Sequence, residues 1–264
     1  MKIRLILISF FIAASMLISF ERGEAAKKKV KPAEEADLHF RMGQDYFSKS
    51  DYLSALRELL QAVDLDKKNP EAYLLLGSTY YQLKRYSEAE QYLRTAIELK
   101  KGESYPQAYN NLGNVYLEMA RYDDAISQFE KCLGSIFYQP NFPMVYTNMG
   151  IAYMKKGDVA RAQENLMNAV KLDPNFCPAY LNLGELYGKS GKAQDAILAY
   201  QKVLDFCPAT LIAARARLYM GVKLNETGKK KEACEQLILV MKESQQNPEL
   251  SSKAGEYIRL LQCH

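Results

Sequence analysis

The sequence predicts an all-α chain, an α-solenoid of six helix-turn-helix repeats closed by a C-terminal capping helix, and three observations predict it. A glycine and an alanine recur twelve residues apart six times, as Gly43/Ala55, Gly77/Ala89, Gly113/Ala125, Gly150/Ala162, Gly184/Ala196 and Gly221/Ala233. From one glycine to the next the spacing is 34, 36, 37, 34 and 37 residues, so each unit is constant inside and the extra residues fall between units. Stacked repeats vary in this way because insertions at connections leave the shared core undisturbed. The third observation is apolar periodicity at helical spacing on both sides of every pair.

With the glycine set at unit position 8, position 11 is Tyr46, Tyr80, Tyr116, Tyr153, Tyr187 and Leu224, and position 24 is Leu59, Leu93, Phe129, Leu166, Tyr200 and Leu237. Apolar residues at 4, 7 and 11 make one helical face and those at 20, 24 and 27 another, so each unit is two amphipathic helices. The small residues at 8 and 20 let the two axes approach, and a larger side chain there would hold them apart. Pro70, Pro106 and Pro143 stand at position 1, where a helix tolerates a missing N–H. Gly157, Gly191 and Gly228 stand at position 15, where the turn between helices asks for a left-handed residue. Pro174 and Pro208 close units four and five. The pattern resembles the tetratricopeptide repeat (TPR), with units at residues 36–69, 70–103, 106–139, 143–176, 177–210 and 214–247. Residues 249–264 carry Tyr257, Leu260 and Leu261 on one face and suit a helix that covers the last apolar edge.

The N-terminus differs from everything after it. Lys2 and Arg4 precede an apolar run from Leu5 to Phe20, and Gly23 and Ala25 sit three and one before a break after Ala25. Residues 1–25 therefore read as a signal peptide, with an uncleaved anchor at residues 5–20 as the alternative. Either outcome delivers the rest to the cell envelope, as a periplasmic protein or one held at the inner membrane. Residues 26–35, with Lys27, Lys28, Lys29 and Lys31, read as a solvated basic linker. Membrane contact is expected only through the N-terminal segment, if it stays.

The chemistry-bearing patterns are few. A net charge of +4, with both signs evenly mixed, gives no field suited to nucleic acid. His39 falls at position 4 of the first unit, where packing explains it, and His264 is the last residue. No phosphate loop, serine elbow or paired-carboxylate motif occurs, so no catalytic, cofactor or metal site is expected. Cys177 opens unit five and Cys207 follows its second helix, two ends that meet in an antiparallel helix pair. A bridge there would close a loop of about 30 residues, worth roughly 3 to 4 kcal/mol, and an exported location favours it over two separate thiols. Cys132 takes a small-residue position and reads as a buried free thiol. Cys234 and Cys263 face an antiparallel offset that looks several ångströms too long, and their pairing stays open.

In a solenoid of helix pairs the first helices line the inner wall, through positions 2, 5, 6, 9, 12 and 13. That assigns a peptide-binding groove to Phe40, Phe47, Leu74, Tyr81, Asn110, Asn111, Asn114, Asn148, Ile151, Met154, Asn182 and Glu185. Leu117 and Leu181 share the pattern but are expected to pack against neighbouring helices. Asn111, Asn148 and Asn182 all occupy position 6, and a ladder of carboxamides can follow a peptide backbone without reading its sequence; the same residues also fit a common local form of the repeat. The apolar insertion with Ile136, Phe137, Tyr138 and Phe142 is a possible contact loop, or folds back on units three and four.

The segment from Phe129 to Gly157, with its Ile136-Phe137-Tyr138-Gln139-Pro140 loop leading into Asn148-Met149-Gly150, resembles the type IV pilus pilotins, the PilF, PilW and Tgl group. Pro174-Asn175-Phe176-Cys177 and Cys207-Pro208 are similar to that group as well. The resemblance implies a six-repeat, non-enzymatic scaffold whose protein partner is a secretin or another pilus-assembly component. Members are mostly outer-membrane lipoproteins, and this chain has no lipid-bearing cysteine near its apolar run, the first being Cys132. A general envelope chaperone or adaptor unrelated to pili is the alternative.

Overall fold

The computed structural model describes residues 31–100, 104–135, 142–244 and 247–263. They form thirteen α-helices, with no strand among the described residues. The chain divides into two compact units, one ending at Lys68 and the other beginning at Asn69.

The described residues of the first unit form one helix hairpin, α1 (Pro32–Ser48) and α2 (Tyr52–Leu65). Pro32 stands in the first turn, and Glu34 and Glu35 place negative charge where the helix dipole favours it. Residues 32–35, which the sequence assigned to the basic linker, belong to this helix. Asp51 caps α2 by accepting from the Ser54 amide at 3.1 Å. His39 Nδ1 lies 2.8 Å from Glu58 Oε2 across the hairpin, a polar contact the packing argument did not foresee.

The second unit holds five hairpins: α3 (Pro70–Gln82) with α4 (Tyr86–Leu99), α5 (Pro106–Glu118) with α6 (Tyr122–Leu133), α7 (Phe142–Lys156) with α8 (Val159–Leu172), α9 (Cys177–Lys189) with α10 (Ala193–Phe206), and α11 (Leu211–Glu226) with α12 (Lys230–Glu243). The cap α13 (Pro248–Leu261) packs on α11 and α12. Each second helix packs on the next first helix, and successive first helices α3, α5, α7, α9 and α11 also touch one another. No pair of second helices packs comparably, so the first helices make the closer wall of this unit.

The repeat pattern is a packing pattern. Ala89, Ala125, Ala162, Ala196 and Ala233 are fully buried, and the residues at position 24 stand directly over the position-8 glycines of their own hairpins. Position 15 has positive φ in all six repeats, as Gly157, Gly191 and Gly228 but also as Ser50, Lys84 and Ala120. Composition marked only the glycines; the turn imposes the same geometry on the other three, at a steric cost of about 1 to 2 kcal/mol each. Repeats two and three are tied by polar contacts on one glutamate. Tyr116 donates its hydroxyl to Glu90 Oε1 at 2.9 Å, Arg121 Nη1 reaches Glu90 Oε2 at 2.9 Å, and the Arg121 guanidinium lies 4.2 Å from the Tyr116 ring centre.

Cys177 and Cys207 are bonded, with Cα atoms 6.5 Å apart, at the open end of the α9/α10 hairpin. Cys234 and Cys263 are bonded too, with Cα atoms 5.5 Å apart, which corrects the expectation that their offset is too long. The reason is local. Gln262 adopts the left-handed conformation at the end of α13, the Cys263 amide donates back to Ile258 at 3.0 Å, and the chain swings toward the first turn of α12. Cys132 is a free, fully buried thiol. The signal segment, most of the basic linker, loop residues Ile136, Phe137 and Tyr138, and His264 lie outside the described residues.

Candidate functional site

The helices α3, α5 and α7 present their inner positions side by side, and between them lies a cleft of about 400 Å³. Tyr81, Leu117 and Ile151 form its apolar wall, one from each of three consecutive repeats. Asn114 and Asn148 supply the amides, with Glu118 and Lys155 at the rim and Tyr122 and Ala120 at the turn end. A cleft of this size with a few convergent polar groups on apolar walls is the usual form of a binding site.

The asparagines are partly committed to the fold. Asn148 Nδ2 donates to Asn114 Oδ1 at 2.8 Å, from position 6 of repeat four to position 9 of repeat three. Asn111 makes the equivalent step one repeat earlier, donating to Ser78 Oγ at 2.9 Å. Asn182 cannot, because position 9 of repeat four is Ile151, and it donates instead to the Pro178 carbonyl of its own helix at 2.8 Å. The ladder is therefore two rungs of repeat-to-repeat bonding rather than three free amides. Asn114 Nδ2 and Asn148 Oδ1 have no further partner among the described residues. A donor nitrogen and an acceptor oxygen therefore remain on one bonded pair, the kinds of group that a peptide backbone's C=O and N–H require.

Electrostatics at the rim are local. Tyr86 donates toward Glu118 Oε2 at 3.4 Å, and its ring lies 5.9 Å from that of Tyr81. Burial, then the Glu118 charge, raises the Tyr81 phenol above its ordinary range, so it stays a neutral donor at physiological pH. Lys155 forms no ion pair among the described residues, whereas the adjacent Lys156 reaches Asp123 of the preceding repeat.

Of the residues the sequence assigned to the groove, Tyr81, Asn114, Asn148 and Ile151 meet in this cleft. Leu117 lines it as well and is half-buried, contrary to the expectation that it packs away, because Tyr81 and Ile151 flank rather than cover it. Leu181 is buried as expected. Leu74, Asn110, Asn111, Met154, Asn182 and Glu185 are half-buried on the same series of helices and line no part of the cleft. The Asn110 Oδ1 atom is buried without a partner among the described residues. Phe40 and Phe47 belong to the first unit, where Phe47 packs edge-on against Tyr52 at 5.5 Å. Phe142, half-buried, is the first residue of α7. Glu118 and Lys155 occupy position 13, which the inner-face pattern contains, and were legible from it; Tyr122 sits on a second helix and was not.

Among the described residues no cluster of side chains is arranged to hold a metal, and no helix is long and apolar enough to cross a membrane.

Comparison with known proteins matches sequence profiles of the tetratricopeptide repeat to residues 70–135 and 178–210, and of the TPR repeat to residues 43–84 and 150–191. Together these span more than half of the chain. No curated protein sequence matches. Among solved structures, the fold is similar to PilW, described as a widely conserved type IV pilus biogenesis factor, with a TM-score of 0.73 and 22% identity over 82% of this chain and 97% of that one. Pseudomonas aeruginosa pilF gives a TM-score of 0.68 at 17% identity over 86% of this chain and 99% of that one. YrrB, described as a TPR protein with an unusual peptide-binding site, gives 0.52 at 22% identity over 75% of this chain and 97% of that one.

Proposed function

We propose that this chain, which belongs to the tetratricopeptide-repeat proteins, is a non-enzymatic envelope scaffold that holds a polypeptide partner in the cleft of repeats two to four and assists type IV pilus or secretin assembly. The observation that carries the reading is the Asn114–Asn148 pair. Its free donor and acceptor lie between the apolar side chains of Tyr81, Leu117 and Ile151, so an extended segment can bond through its backbone and insert a side chain at the same place. Leu74, Asn110, Asn111, Met154, Asn182 and Glu185 would widen that contact, and the insertion at Ile136, Phe137, Tyr138 and Phe142 would add a second.

Export is supported by the charged start and apolar run of residues 1–25 and by two disulfides, which persist in oxidising compartments. The chain would then work in the periplasm, free or held at the inner membrane by residues 5–20. The pilus role is supported by the likeness to PilW and pilF together with the resemblance of the Phe129 to Gly157 segment to the pilotins. A general envelope chaperone or adaptor is the second reading, favoured by a carboxamide pair that reads backbone rather than side chains.

Deletion of the gene, with complementation by wild type or by Ile151→Glu, tests the proposal. Loss of secretin multimers and pili on deletion, restored by wild type and not by the cleft variant, is the expected result. Undisturbed multimers and normal pili would leave only the second reading.

A further inference from the structure

The cap buries few of its own residues and also carries a covalent tie to the last repeat. On α13 only Leu250 and Ala254 are buried, whereas α9 buries six residues. Tyr257, Ile258 and Leu261 are partly buried against α11 and α12. Yet the edge this thin contact covers includes Leu218, Leu237 and Val240, which are as buried as any repeat core. Cys263, just past the end of α13, ties that end to Cys234 on α12.

We propose that the Cys234–Cys263 bond is a redox latch on the capping helix. A dithiol reductant opens it by thiolate attack on one sulfur, passing through a mixed disulfide. The second thiol of the reductant then closes on the first, so that two electrons and two protons end on Cys234 and Cys263 and the reductant leaves as a disulfide. With the bond cut, α13 undocks and the edge of repeat six is offered instead of covered.

Three features single out this bond. Both of its cysteines are partly exposed, so an attacking thiolate can reach either sulfur, whereas the other bond offers only Cys207, its Cys177 being 1% exposed. The Cys177–Cys207 bond joins two helices already held by Tyr200, Val203 and Leu204, so cutting it frees no element. The fifth cysteine, Cys132, is fully buried with its thiol pushed up to about 12 by burial, and so cannot intercept the exchange. The latch operates whatever occupies the cleft of repeats two to four.

Graded dithiothreitol on the full chain, with alkylation of released thiols, peptide mapping and hydrogen exchange, tests the latch. Cys234 and Cys263 should be alkylated at reductant levels that leave Cys177 and Cys207 joined, and amide protection over residues 248–261 should then fall at least tenfold while α9 and α10 keep theirs. A Cys234→Ser/Cys263→Ser variant should show the same loss without reductant, and a Cys177→Ser/Cys207→Ser variant should not. Earlier opening of Cys177–Cys207, or unchanged protection of α13 once Cys234 and Cys263 are free in the wild-type chain, overturns the proposal.

Discussion

Gly184 approaches Tyr200 so closely that a methyl group placed on it would stand 2.3 Å from ring carbon Cε1. The same approach joins Gly113 to Phe129 at 2.4 Å and Gly150 to Leu166 at 2.7 Å, and it relaxes only at Gly221, where Leu237 Cγ would be 3.0 Å away. Glycine inside an exposed helix costs about 1 kcal/mol relative to alanine, so Gly→Ala ordinarily stabilises. Here the sign should reverse. Gly184→Ala is expected to lower unfolding free energy by about 1 to 3 kcal/mol in urea titrations, the range for overpacking, and Gly221→Ala by less.

The inter-helix turns give the opposite expectation. Ala120 and Lys84 hold φ of 56° and 59°, a region where a side chain costs about 1 to 2 kcal/mol. Ala120→Gly removes that cost and returns part of it as unfolded-chain entropy, so a net gain of up to about 1 kcal/mol is expected. Gly191→Ala, with φ of 74° and open space around it, should lose a similar amount through backbone strain alone. Equilibrium unfolding of the two variants checks both directions.

Cys132 links burial to pH. Its thiol is pushed up to about 12 by desolvation from an ordinary value of 9.0. The folded state therefore keeps a proton that the unfolded state gives up, and the stability tied to it is fully present below about pH 9 and lost as pH rises toward 12. Burial likewise raises the Tyr105 and Tyr200 phenols, which adds to base sensitivity in the same direction. Cys132→Ala should flatten the fall in stability between pH 9 and 11. In the native wild type the thiol should resist aromatic disulfide reagents at pH 8 and react fully once the chain is unfolded.

The repeat-to-repeat amide bond can be separated from the cleft's capacity to bind. Asn111→Ala removes a partner of Ser78 and nothing from the cleft, so it should cost about 1 kcal/mol of stability and weaken partner capture less than a change inside the cleft. Asn148→Ala removes the bond to Asn114 and the free acceptor together, and should weaken both. Thermal melts and pull-down of the envelope partner, run on the two variants in parallel, distinguish the roles.

Most of the architecture was legible because the close glycine contacts force a fixed separation of small and large residues, and that separation survives in one sequence. The capping helix and the buried Cys132 followed from the same register. What escaped is local conformation without a compositional mark. Ser50, Lys84 and Ala120 carry a left-handed turn that their residue types do not announce, and Gln262 turns the chain so that Cys263 meets Cys234. Asn182 shares its position with Asn111 and Asn148 and yet turns onto its own helix, because its environment is set by Ile151 one repeat away. Periodicity fixes which face a side chain occupies. The partner it meets depends on the neighbouring repeat.

Photocrosslinking from the cleft tests the central claim most directly. A benzophenone amino acid replacing Ile151, which lines the cleft, and one replacing Leu198, which is 57% exposed on a second helix, are compared in living cells. The account predicts a discrete adduct from position 151, identified by mass spectrometry as a secretin or another pilus-assembly subunit, and no such adduct from position 198. An absence of adducts at 151, or the same products from both positions, contradicts it.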